Sequence, residues 1–268
     1  DARPHVELAQ ALLDRGDTDG AIAELKLALD KRRDHARALY LLGLAYSKRG
    51  RPGDSQEAKR ALEEALAVRE GYSEAYLALG DALSQGGEYE AAAENYRSAL
   101  PLLPDGTARA EVEQRLGSLY LSTGQLDKAV RELRKAVSSD PDNGASQGLL
   151  GQALVKQAQR RGEPPSGPTF ESARQCLQRA ASAEHPAPTI LATLGELLLQ
   201  ANQPGDAEKA LTRALKVEPE LVPALLALGK LRLQSGDVAS AYEQGLRAYA
   251  SLRARLEPAV SGALSDHF

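Results

Sequence analysis

The chain has no methionine and no tryptophan, and only two phenylalanines, Phe170 and Phe268, stand beside nine tyrosines. Large aromatic side chains therefore cannot dominate the interior, which leucine and alanine must fill. Both are strong helix formers, whereas sheet cores draw on β-branched and aromatic residues, so the shortage points to closely packed helices. A single cysteine, Cys176, excludes an internal disulfide, and its setting in ARQCLQRA reads as a buried helix thiol rather than a nucleophile. No apolar run reaches the length of a membrane span, because the longest candidate, near 225–228, is soon broken by Lys230 and Arg232. No excess of positive charge exists either. The 33 basic and 37 acidic residues leave a net charge of −4, which argues against a nucleic-acid or anionic-membrane surface. The chain begins at Asp1 without an initiator methionine, so the expectation is a processed or excised piece, and the sequence assigns no compartment. A composition rich in alanine, with arginine ahead of lysine, suggests a bacterial source.

What is present is self-similarity. LYLLGLAYSKRG (39–50), AYLALGDALSQGG (75–87), RLGSLYLSTG (115–124), ILATLGELLLQAN (190–202) and ALLALGKLRLQSG (224–236) each carry Leu-Gly at one fixed point, with a turn of small residues beyond. Between them lie AIAELKLAL (21–29), AKRALEEAL (58–66), AAENYRSAL (92–100), AVRELRKAV (129–137), ARQCLQRA (173–180) and AEKALTRAL (207–215). In these an alanine is followed four residues later by a large residue and three later by another alanine. Both patterns place apolar residues at i, i+3, i+4 and i+7, so the chain reads as pairs of helices joined by short turns.

Anchored on Ala9, Gly43, Gly80, Gly117, Gly151, Gly195 and Gly229, the spacings are 34, 37, 37, 34, 44 and 34 residues. With Tyr76, Leu79, Gly80, Leu83, Gly87, Ala92, Tyr96, Ala99 and Pro104 in the third copy, and Pro141 and Pro219 recurring at the closing position, the chain resembles the tetratricopeptide repeat family over nearly its whole length. The resemblance implies an all-α, right-handed α-solenoid over 1–268, with repeats near 2–35, 36–72, 73–108, 109–143, 144–186, 187–220 and 221–254. Physically, the repeat glycines should let the first helix of a pair approach the small alanines of the second, Ala21, Ala92, Ala129 and Ala207. Each pair should bury its apolar face only against its neighbours.

Chemistry is hard to find. His5, His35, His185 and His267 are scattered with no pair at ligand spacing, so no metal site is expected. LGKLRL at Gly229 lacks the upstream glycine-rich turn of a phosphate loop, and DPDNG at 140–144 lacks the later ligands of a calcium loop. No catalytic residue and no cofactor is expected, because the apolar pattern is consumed by repeat packing and no convergent site remains.

The resemblance also implies a concave groove lined by first helices that binds a peptide or helix of a protein partner. Carried over position by position, the row is Val6 and Gln10; then Arg37, Tyr40, Leu44 and Ser47; then Leu77, Asp81 and Ser84; then Gln114 and Ser118; then Gln152, Glu196, Leu226 and Lys230. Leu13, Leu121, Val155, Leu199 and Leu233 share these stripes, with Leu13, Leu121 and Leu199 equally suited to packing between neighbouring helices. Val6, Gln10, Leu77 and Asp81 stand where some family members carry the basic clamp for a C-terminal carboxylate, so binding of that kind is not expected. The mixture of aliphatic, neutral polar and tyrosine side chains suits an amphipathic helix or an apolar extended segment.

RRGEPPSGPTF (160–170) interrupts the beat. From Gly151 to Ala173 there are 22 residues where Gly80 to Ala92 has 12, while the flanking signals keep their register. The segment is thus an enlarged turn inside the fifth pair, over 160–169, rather than a domain linker. Pro164, Pro165 and Pro168 should stop helix growth, Thr169 should cap the next helix, and Phe170 should tuck into the core. Glu163, Pro164, Pro165 and Pro168 form a candidate loop contact. At the other extreme Leu252, Leu256, Val260 and Leu264, four apart, should cap the last repeat within a segment at 255–268, with Pro258 kinking or ending the helix. The expected function is a non-catalytic interaction scaffold, monomeric, with a bacterial assembly factor for a pilus, secretin or exported polysaccharide as its narrower version. A regulatory or targeting module of a larger protein and a self-assembling structural protein are the alternatives.

Overall fold

The computed structural model describes the backbone of residues 1–265 and the side chains of residues 1–256. Among these are fourteen α-helices, one short 3-10 turn (Leu100–Leu102) and no strand. First and second helices alternate: α1 (Arg3–Asp14) with α2 (Thr18–Lys31), α3 (Ala36–Arg49) with α4 (Asp54–Val68), and α5 (Ser73–Gln85) with α6 (Tyr89–Ala99); α7 (Thr107–Ser122) and α8 (Leu126–Ser139) follow in the chain. They continue as α9 (Gly144–Arg160) with α10 (Pro168–Ala181), α11 (Pro188–Gln200) with α12 (Pro204–Val217), and α13 (Val222–Gln234) with α14 (Val238–Ser265). Two compact units result, Asp1–Gly124 with α1 to α7 and Gln125–Phe268 with α8 to α14. No helix among the described residues is long and apolar enough to cross a membrane.

Local chemistry sets the helix ends. Asp17 closes the start of α2 by accepting the Gly20 N–H at 2.9 Å, Asn143 does the same for α9 from Ser146, and His35 Nδ1 takes the Ala38 N–H of α3. Gly50, at φ +66°, ends α3 in the left-handed conformation that glycine adopts without a Cβ penalty.

The interior is alanine and leucine, as the composition requires. Ala21, Ala58, Ala92, Ala129, Ala173 and Ala207 are fully buried, and so are Leu25, Leu62, Leu133, Leu177 and Leu211, each four residues further on. The role of the repeat glycine is sharper than expected. A Cβ on Gly43 would lie 2.5 Å from Leu62 Cγ, on Gly80 2.6 Å from Tyr96 Cε1, on Gly151 2.5 Å from Leu177 Cγ, and on Gly195 2.6 Å from Leu211 Cγ. The glycine therefore makes room chiefly for the large side chain of the second helix, and only secondarily for the backbone behind its alanine. The last pair breaks the rule: Gly245 occupies the large position, and a Cβ on Gly229 would meet nothing closer than the Ala241 carbonyl oxygen at 3.5 Å.

In the first unit, polar ties reinforce the apolar stack. Arg49 donates to both carboxylate oxygens of Asp54 and to Asp19, while Arg51 reaches Asp19 at 2.6 Å. Asp54 is 3% exposed, and the Arg49 guanidinium holds its carboxyl down at about 2. Lys48 Nζ donates to the Leu13 carbonyl at 2.8 Å, tying α3 to the end of α1.

The enlarged turn lies inside the second unit, between α9 and α10, which pack on each other. Its N-cap residue is Gly167 rather than Thr169, which sits inside the first turn of α10 and donates its N–H to Glu163 Oε1 at 2.7 Å. Glu163 supplies the cap because Pro168 at the helix start has no N–H to satisfy and the turn folds the carboxylate back over the helix end. Phe170 is buried, as expected. The C-terminal expectation changes more. α14 does not end at Pro258 but is one helix through to Ser265, and Leu252 and Leu256 are exposed rather than folded over the last repeat. Ala248 is the α14 residue packed with Val222, Leu225 and Leu215. The side chains of Val260 and Leu264 lie outside the described residues.

Candidate partner-binding face

Within the first unit α1 touches α3 and α3 touches α5; within the second, α9 touches α11 and α11 touches α13. First helices thus form a layer in each unit. On α3, Arg37 and Ser47 are exposed and Tyr40 and Leu44 half-buried, at spacings that put all four on one face. Leu77, Asp81 and Ser84 are half-buried on α5, Gln114 is half-buried and Ser118 exposed on α7, and Gln10 on α1 donates to Asp14 at 3.0 Å.

Tyr40 is the most organised of these. Its ring lies 5.2 Å from that of Tyr72 at a 50° tilt, and the Arg69 guanidinium sits 4.5 Å from the Tyr72 centroid on the ring it backs. Tyr40 cannot rotate away without breaking this stack. Burial, then the Glu74 and Asp81 carboxylates, push its phenol above the ordinary value, so it is a neutral hydrogen-bonding group.

Two expected row members turn out differently. Val6 is 3% exposed and belongs to the core with Ala21 and Leu25, because it shares a stripe of α1 with Ala2, Ala9 and Leu13 that faces inward. It is a packing residue. Asp81 accepts the Tyr96 hydroxyl at 2.6 Å and the Arg115 guanidinium at 2.6 Å, so its carboxylate ties α5 to α6 and α7 instead of awaiting a ligand. Burial and that hydrogen bond drive the Tyr96 phenol far above its ordinary value. Leu13 and Leu121 are also buried.

In the second unit Gln152 is half-buried, Glu196 and Lys230 are exposed, and Val155 and Leu199 are buried. Leu226 and Leu233 project from α13 at 54% and 59% exposure. The enlarged turn brings Pro165 and Ser166 to the edge of a cleft of about 540 Å³, shared with Phe170, Glu171, Arg174 and the α11–α12 turn at Gln200–Gln203. Pro164 and Pro168 are exposed, while Glu163 is occupied by its cap. The carboxylate of Glu171 and the guanidinium of Arg174 pair with each other beside this cleft, at 2.7 Å.

Three tetratricopeptide repeat models match the sequence, over residues 9–50, over 51–107 and 192–255, and over 86–153. The chain belongs to the tetratricopeptide repeat family. Its helix pairs are accordingly those of an α-solenoid, and proteins of this family are generally non-catalytic scaffolds that bind other proteins. No curated protein matches this repeat chain by sequence. Solved structures share the fold. The Cut9–Hcn1 complex of the APC/C aligns with 91% of this chain at 15% identity and a TM-score of 0.67, but this chain spans only 45% of that one. PilF of Pseudomonas aeruginosa aligns at 18% identity over 83% of this chain and 94% of its own, with a TM-score of 0.69. YrrB, described as a tetratricopeptide repeat protein with an unusual peptide-binding site, aligns at 15% identity over 75% and 95%, with a TM-score of 0.57.

Proposed function

We propose that this tetratricopeptide repeat protein is a non-catalytic scaffold that receives an amphipathic helix or apolar extended segment of a partner protein on the first helices of its first unit. The observation that carries this reading is Tyr40, held half-exposed by Tyr72 and flanked along its own helix by Leu44 and Ser47. A rigid aromatic with one wet edge supplies contact area at little entropic cost, which is why tyrosines anchor interfaces. The half-buried Leu77 and Ser84 of α5 extend the same mixture of apolar and neutral polar groups. Because Asp81 is consumed by Tyr96 and Arg115, the face offers no free carboxylate at that point, and this favours an apolar rather than a basic ligand segment. The peptide-binding site named in the description of YrrB is consistent with such a use of the fold. A role in assembling a bacterial pilus, secretin or polysaccharide exporter is the narrower version, and the identity of the bound partner decides it.

The test is affinity capture on the immobilised chain from its source organism, repeated with Ser47→Glu and with Tyr40→Glu plus Leu77→Glu. Capture should fall at least roughly tenfold with each, since a charge placed in an apolar contact costs more than about 1.4 kcal/mol, while circular dichroism stays unchanged. Undiminished capture by folded variants would move the site off this face.

A further inference from the structure

The last helix carries a second apolar face, unconnected with the first-helix row. Val238, Tyr242, Gly245, Tyr249, Leu252 and Leu256 follow one another at steps of four, three, four, three and four, the alternation of a coiled-coil seam. Val238 is 65% exposed, Tyr242 69%, Tyr249 64% and Leu256 61%, with Leu246 beside them at 49%. In the described structure α14 buries Ala241, Ala248 and Ser251 on the flank next to this seam, where it packs on α13, and leaves the seam itself open.

The repeat shows what distinguishes this helix from the earlier second helices. Leu246 stands at the position held by Lys26, Glu63, Arg97, Arg134, Gln178 and Thr212 in the six earlier second helices, all polar. Tyr249 stands where Leu29, Leu66, Leu100, Val137, Ala181 and Leu215 stand, all of them at least half-buried. Gly245 replaces the large residue of the earlier pairs and has no atom within 4 Å of where a Cβ would be, which leaves a notch in the middle of the seam.

We infer that this seam is a homodimer interface, in which α14 of one copy lies antiparallel against α14 of a second copy across a two-fold axis. The seam is complementary to itself. With the axis near Arg247, Tyr249 of one copy enters the notch at Gly245 of the other, Tyr242 meets Leu252, Val238 meets Leu256, and the two Leu246 side chains meet beside the axis. Large faces small at the centre, and Arg253, four residues beyond Tyr249, lies exposed at the border of the seam; this is the isologous arrangement most homodimers use. The two tyrosines expose on the order of 250 Å² per copy, and the aliphatic residues about as much again. Together the two copies would bury about 1,000 Å², near the lower bound for a specific interface, so the dimer is a reversible one. An end-to-end contact with α1 of a second copy fits less well. Leu8 is exposed there among Pro4, Glu7 and Arg15, whereas α14 exposes six large apolar residues along one helix. The monomer expected from the sequence gives way to a dimer in this proposal.

Sedimentation equilibrium of the 268-residue chain should show a single monomer–dimer equilibrium that saturates at two copies. Leu246→Glu and Tyr249→Glu, both at exposed positions, should leave a monomer of unchanged helical content. Gly245→Leu adds apolar surface yet fills the notch, and should weaken dimerisation by roughly tenfold or more. Leu246→Cys, in a chain also carrying Cys176→Ser, should form a disulfide-linked dimer on mild oxidation. A monomer into the hundreds of micromolar, growth beyond two copies, or tighter association of Gly245→Leu would each overturn the proposal.

Discussion

Alanine substitution at two glycines with the same Leu-Gly signature should have opposite effects. At Gly195 a Cβ would lie 2.6 Å from both Leu211 Cγ and Cδ2 and 3.4 Å from the Ala207 carbonyl oxygen. Leu211 is completely buried, so it has no free space to retreat into, and overpacking of this kind costs about 1–3 kcal/mol. Against that stands a gain of about 0.5–1 kcal/mol for replacing glycine inside a helix. The net result is a loss of up to about 2.5 kcal/mol, centred on about 1. At Gly229 the nearest atoms are the Ala241 carbonyl oxygen at 3.5 Å and Gln244 Cβ at 3.6 Å, which are ordinary contacts. Only the helix-propensity gain remains, so Gly229→Ala should stabilise by about 0.5–1 kcal/mol. Urea and thermal unfolding followed by circular dichroism, with hydrogen exchange of the α11 and α13 amides to localise the change, measure both. The midpoints should part by several degrees, since about 2–4 °C corresponds to each kcal/mol in chains approaching this size. Equal effects of the same sign at the two sites would refute the idea that the large residue of the second helix is what demands the glycine.

Two further predictions concern charged groups. Because Arg49 holds the Asp54 carboxyl at about 2 against an ordinary 3.8, the ionised form favours the folded state. The stabilisation is fully present above the ordinary value and is lost as pH falls through about 2, so loosening of the α3–α4 turn should begin between these values, and Asp54→Asn should remove that pH dependence in an acid titration. Glu163→Ala should speed hydrogen exchange at the Thr169 amide and fray the start of α10, whereas Pro164→Ala, at an exposed position, should leave it unchanged; equal exchange in both variants would mean that the carboxylate is not the cap.

The repeated core was legible because period and packing are the same fact. Within each second helix the buried alanine and the large residue keep a step of four whatever the length of the turn before them, as Ala207 and Leu211 do after Gly195, and the last pair, with Gly245, is the exception. What the pattern could not resolve was which member of an apolar stripe faces in: Val6 occupies a family groove position yet lies in line with Ala2, Ala9 and Leu13. Nor could it show that Asp81 is spoken for, since its partners Tyr96 and Arg115 lie 15 and 34 residues away and look like unrelated surface groups in one dimension. The α14 seam was half visible. Leu252 and Leu256 stand at an evident step of four, whereas the step of three that joins them to Tyr249, Gly245 and Tyr242 runs through a glycine and does not read as an apolar stripe.

The enlarged turn has a consequence for how this chain tolerates change. The helices on either side, α9 and α10, grip each other through Gly151 and Leu177 whatever joins them, and the join needs little more than the Glu163 carboxylate on one side and Pro168 on the other. Pro164, Pro165 and Ser166 hang between these fixed points, all exposed. That makes the segment a natural splice point. Foreign sequence grafted there, such as an epitope tag or a reporter domain, would be displayed from a rigid two-helix base without shifting the register of any later repeat, because loop length costs little once both of its ends are already anchored.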